Sequence, residues 1–147
     1  MGTRSLTVFG KGVDEIVVMY RQMDGYPTGH GQELAEFLDG FTVVNGYSFA
    51  DNRKIANGLN CLAAQVIAHF KNGVGGFYLY PANTRDCWEE YIYIVSEKNS
   101  APYIEVIDTY DNGNFLFKGT PRKMLNWIRN ASRHSIRDSK GRFCKAT

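Results

Sequence analysis

Between Tyr20 and Gly31 the chain reads Tyr-Arg-Gln-Met-Asp-Gly-Tyr-Pro-Thr-Gly-His-Gly. Arg21 offers a planar fork of donors suited to phosphate or carboxylate. Tyr20 and Tyr26 can stack on a ring. Gln22 and Asp24 can read polar edges, and His30 can donate to an anion. Gly29 and Gly31 leave room for a ligand to approach the backbone. An apolar strand-like run, Glu15 to Tyr20, leads in, and a helix-like run, Gln32 to Leu38, leads out. The stretch therefore ends where free helical N–H groups favour anions. It lacks the Gly-Lys-Ser/Thr ending of a phosphate loop and the Gly-x-Gly-x-x-Gly pattern. The expected site is non-catalytic, with Arg4 joining from the first strand of an opening hairpin. The competing reading is a structural corner: Asp24-Gly25 as a turn, Tyr26-Pro27 packed, His30 as a cap.

Three other constellations could carry chemistry. Cys61 stands near the start of a helix, where a lowered thiol pKa suits a nucleophile. With His30 as base, it would make the chain a small hydrolase. Against this, Leu59, Leu62 and Ala63 flank it as they flank a buried structural cysteine. The histidines and acids show no metal-ligand spacing, and the three cysteines (Cys61, Cys87, Cys144) form no Cys-x-x-Cys pair, so neither metal nor cofactor is expected. Tyr78, Tyr80, Tyr91, Tyr93 and Tyr103 recur along strand-like segments. They read either as a base-stacking platform or as a sheet face half covered by helices.

The elements that must position these groups follow from periodicity. Leu6–Phe9 and Ile16–Tyr20 read as a hairpin. Helical spacing covers Gln32–Phe41, and a stronger helical face runs from Leu59 to Lys71. Between them, Asn45-Gly46 marks a turn and Asp51-Asn52 could cap a short helix. Strands are expected at 76–81, 88–96, 103–108 and 115–118. Thr120-Pro121 is an N-cap followed by proline at the first helical position. Short turns between consecutive strands exclude parallel crossovers there. The expectation is an α+β fold: a mainly antiparallel sheet of about six strands, with two to three helices on one face. Residues 1–131 form one domain, and 132–147 form a basic tail.

With 147 residues and 44% hydrophobic content, the chain can bury a sizeable core. It has no apolar run long enough to span a membrane and no signal-peptide core, so a cytoplasmic protein is expected. Charge is segregated. Residues 118–147 carry nine Lys/Arg and one acid, a net +8, against −6 for the rest. That end suits nucleic acid, or the acidic surface of another subunit in a homo-oligomer; the alternative is a solvated surface.

Met1-Gly-Thr-Arg-Ser-Leu-Thr7, Val17–Gly31 and Glu33-Leu-Ala-Glu-Phe-Leu38 together resemble a family of small uncharacterised proteins of bacteriophages, large viruses and bacteria. The match is specific over about the first forty residues and fades beyond. It implies an accessory protein acting in a host cytoplasm, and it brings no activity and no site residues. Some phage accessory proteins sequester nucleotide signals to counter host defence. By that analogy, binding of a nucleotide or nucleotide-derived signal is the leading expectation.

Overall fold

The computed structural model describes residues 2–47, 54–134, 136, 137, 143 and 144, and side chains up to residue 131. The helix-cap expectation at Asp51-Asn52 lies outside these residues, as do the charged Asp138, Lys140, Arg142 and Lys145. Strands β1 (Ser5–Phe9), β2 (Val17–Arg21), β5 (Phe77–Pro81), β6 (Tyr91–Lys98), β7 (Ala101–Asp108) and β8 (Asn114–Gly119) form one sheet in the order β5-β2-β1-β6-β7-β8. All neighbours are antiparallel except β1 and β6. Three helices, α1 (Gln32–Leu38), α2 (Gly58–Phe70) and α3 (Pro121–His134), complete an α+β fold. β3 (Thr42–Val44) and β4 (Ile55–Asn57) add a small parallel pair that periodicity did not reveal, being three residues each. β9 (Ile136–Arg137) and β10 (Phe143–Cys144) pair beyond α3, which itself runs three residues past the expected boundary.

Strand alternation sends every second side chain to the helices. Phe9, Met19, Tyr91, Tyr93, Val95, Ile104 and Val106 form the buried floor. Leu34 and Leu38 of α1, Leu62, Val66 and Phe70 of α2, and Met124 and Ile128 of α3 pack onto it at four-residue spacing. Lys123 N–H donates to Thr120 Oγ1 at 3.3 Å, so the threonine cap and first-position proline start α3 as expected.

The other sheet face carries a second apolar cluster, Leu6, Val8, Val18 and Ile92. No helix covers it. β5 ends opposite Val17, whereas β6 begins opposite Ser5, whose β2 partner is Arg21. The connection 82–90 must therefore cross this face from one end of the sheet to the other. That is why β6 starts at Tyr91 rather than at Trp88. The crossing strap is anchored midway. Arg85 grips the Glu15 carboxylate with two hydrogen bonds, 2.8 and 3.1 Å, and the Asn83 N–H donates to the same group. Cys87 packs against the apolar cluster beneath.

The Glu15 side chain is only 3% exposed. Arg85→Ala would leave a covered carboxylate with one backbone donor, so it should cost about 1–3 kcal/mol in urea unfolding. An unchanged midpoint would mean that the Arg85–Glu15 pair does not anchor the strap.

Candidate functional site

Residues 20–31 are not a free loop. Tyr20 and Gln22 point to the strap side of the sheet, and Arg21 points to the helix side, because strand alternation divides them. After Gly25 the chain enters a π-type turn, Pro27–Gly31, that runs straight into α1.

On the helix side, Arg21 and His30 are already engaged. His30 is fully buried, with ring contacts to Phe70 at 5.0 Å and Tyr93 at 5.1 Å. Its Nδ1 lies 3.2 Å from the Arg21 guanidinium and its Nε2 lies 2.6 Å from Thr7 Oγ1. Arginine can only donate, so Nδ1 accepts, and the ring proton sits on Nε2 and is donated to Thr7. Burial, then the Arg21 charge, lowers the His30 pKa to about 3. The ring is neutral at physiological pH. Arg21 also donates to Glu33 at 2.9 Å and to the Met23 carbonyl at 2.7 Å, and lies over the Phe77 ring.

The intervening corner is equally closed. The Asp24 carbonyl accepts from His30 N–H, and its carboxylate accepts from Tyr26 OH at 3.2 Å. Gly25 donates to the Thr3 carbonyl, and its own carbonyl accepts from buried Tyr93 OH at 2.7 Å. A Cβ on Gly25 would stand 2.7 Å from Ser5 Cβ, and one on Gly29 would stand 2.5 Å from the Asp24 carbonyl oxygen. The space the glycines open is filled by the protein's own chain rather than left for a ligand.

Cys61 lies in the first turns of α2, half-buried, its thiol donating to Gln65 at 3.3 Å. His30 meets the same helix at Phe70, nine residues and about 14 Å along the axis. A Cys61–His30 nucleophile–base pair is therefore not formed. With a pKa near 3 and no solvent contact, His30 is also unsuited to act as a base near neutral pH.

The other three expected residues do converge. Arg4, Tyr20 and Gln22 line a cleft of about 450 Å³ on the strap side, together with Tyr78, Tyr80, Cys87 and Trp88. Tyr78 and Tyr80 stand opposite Tyr20 and Val18 in the register, so they share this face. Tyr20 meets Tyr78 at 5.9 Å and Tyr80 at 6.1 Å, a packed tyrosine floor. Tyr91 and Tyr93, by contrast, are buried under the helices, as the reading of a helix-covered sheet face has it. The alternating tyrosines of β5 were visible in the sequence, but the contribution of Cys87 and Trp88 was not, since it follows from the crossover.

Trp88 is 81% exposed and its φ is +63°. A bulky residue in the left-handed region is rare and costs about 1–3 kcal/mol. Asn83 and Asp86 share that conformation. The Glu89 carboxylate accepts the Asp86 and Cys87 N–H groups and holds the turn. Burial, then the neighbouring Glu89 and Asp86 charges, raises the Cys87 thiol pKa, so it stays protonated.

A larger hollow of about 860 Å³ lies beside β3, β4 and the start of α2, but its described lining includes Glu97 and no cation or aromatic ring. Among the described residues no cluster of His, Cys, Asp or Glu is placed to hold a metal ion, and no helix is long and apolar enough to cross a membrane. No family model, curated protein or solved structure matches the chain.

The His30 environment sets a pH dependence. Its folded pKa, about 3, is depressed below the ordinary 6.5. Between these values the unfolded chain binds a proton that the folded chain refuses. The stability His30 permits is complete above about 6.5 and is lost as pH falls toward 3. In His30→Gln, which cannot titrate, urea midpoints should be lower at neutral pH and should fall less steeply over that window.

Proposed function

We propose that the chain binds a small anionic ligand, a nucleotide or nucleotide-derived signal, and sequesters it without converting it. The observation that carries this reading is the meeting of Arg4 and Gln22 with four aromatic side chains, Tyr20, Tyr78, Tyr80 and Trp88, in one cleft. Its volume lies within the range of small-molecule sites. Arginine suits phosphate, tyrosine faces suit a base, and glutamine suits its polar edge. Among the described residues the lining holds no activated nucleophile: Cys87 is the one thiol there, and that thiol is protonated. Such a lining supports binding without turnover. Arg21, Asp24, Tyr26 and His30, engaged elsewhere, serve to fix the strands beneath the cleft. The resemblance of the first forty residues to small phage proteins supports a role in a host cytoplasm, withholding a signal from a defence system.

A second reading rests on α3. Arg122, Lys123 and Arg129 are exposed there, while Met124 and Ile128 are buried. Such a face could meet nucleic-acid phosphates or an acidic surface of a second copy. Phosphate-backbone binding would weaken steeply with added salt.

Calorimetry with a panel of nucleotides, followed by mass spectrometry of the returned ligand, tests the first reading. Arg4→Ala should weaken binding by about 1.5–3 kcal/mol, the range for hydrogen bonds to charged groups. Arg21→Ala should lower the melting temperature instead. Equal affinity in native and Arg4→Ala chains, or recovery of a cleaved nucleotide, would overturn it.

A further inference from the structure

Resting on the cleft reading above, we infer that Trp88 is its movable wall. The indole closes on a planar ring lying on the tyrosine floor, so the cleft selects base-bearing nucleotides over sugar phosphates. Three observations meet here. First, the floor has no slot of its own. Tyr20, Tyr78 and Tyr80 pack on one another at 5.9 and 6.1 Å, one pair tilted at 48° and the other edge-on at 78°. A base can therefore lie over these rings but cannot slide between them. Its outer face would stay in water unless another ring covered it.

Second, Trp88 is the ring in reach. It lines the same cleft, and among the described residues it has neither a ring contact nor a hydrogen-bond partner. Its exposure of 81% contrasts with Trp127, which stacks on Phe117 at 5.2 Å. Tryptophan normally buries its body and satisfies its N–H, and this one does neither.

Third, the backbone under it is held on both sides. Cys87, just before it, is seated in the apolar cluster, with its N–H on Glu89 at 2.6 Å. Glu90, two residues after, donates its N–H to the Arg4 carbonyl at 2.8 Å. The strap is pinned while the indole is free. Closure then needs only side-chain rotation, a fast motion for an exposed residue. The same Arg4–Glu90 bond ties the cation of the cleft to the strap that carries its lid. A bound base would be sandwiched between indole and tyrosine, with its phosphate toward Arg4.

The probes are AMP, GMP, CMP and UMP, with ribose 5-phosphate as the base-free control. The chain has two tryptophans. In Trp88→Phe only Trp127 remains, which isolates the Trp88 signal. AMP or GMP should quench native fluorescence and should leave the Trp88→Phe signal unchanged while still binding by calorimetry. Trp88→Ala should lose at least about tenfold in affinity, as expected for one stacking partner, and Trp88→Phe should recover most of it. Ribose 5-phosphate should neither quench nor bind comparably. If Trp88→Ala binds AMP as well as the native chain, or if ribose 5-phosphate binds as tightly as AMP, the lid is overturned and the Arg4 cleft stands. If no base-bearing probe binds the native chain, lid and cleft reading fall together.

Discussion

A buried chain of hydrogen bonds from Thr7 through His30 to Arg21 fastens the structure around the cleft. It joins β1, the π-type turn and β2 through one neutral imidazole, and Arg21 extends it to Glu33 on α1. A charged imidazole here would lose its role as acceptor and face a guanidinium at close range. The low pKa is thus a condition of the network as well as a result of burial. Because the turn cannot leave the sheet, α1 is docked and the Gly25 carbonyl is held against Tyr93. β1 and β2, which hold Tyr20 and are flanked by Arg4 and Gln22, are consequently braced from behind.

The same strands serve two purposes because the side-chain period of a strand is two. Arg21 works on the helix side, while its neighbours Tyr20 and Gln22 face the strap. One short run of polar residues thereby supplies a structural network on one side and a candidate binding surface on the other. The topology adds the rest. With β2 and β1 lying between β5 and β6, the connecting strap must cross the uncovered face, and it brings Cys87 and Trp88 over the tyrosines.

The sequence reading reached the sheet, the helices and the α3 cap because their periodicities are local. The expected strand at 88–96 also spans Tyr91, Tyr93 and Val95, which share one face of β6. Local pattern could not tell that this face is the buried one, or that β1 pairs in parallel with β6 more than eighty residues away. Glycines 29 and 31 looked like openings for a ligand. Close approach of the Asp24 carbonyl to Gly29, and of Tyr93 and Met124 to Gly31, supplies a demand for glycine of its own, and the two causes leave the same mark in sequence. Three of the seven residues expected at the site meet in the cleft. The others were grouped with them by adjacency along the chain, which strand alternation does not respect.

The exposed edge of β5 bears on what the aromatic face can be for. Gln22 donates to the Gly76 carbonyl, so with the observed register residues 76, 78 and 80 bond inward to β2 and residues 77, 79 and 81 turn their backbone groups outward. Phe77 N–H is satisfied by the Gly75 carbonyl, and its carbonyl is taken by Lys71. Pro81 has no N–H, and its carbonyl is taken by Thr84. Only Leu79 keeps both outward groups open among these three. A strand of another chain would find a single residue to pair with, too little to extend the sheet. The edge is thus guarded against strand addition although its side chains, Tyr78, Leu79 and Tyr80, stay exposed. Protection of the backbone with exposure of the rings fits a surface that receives a flat ligand on its side chains.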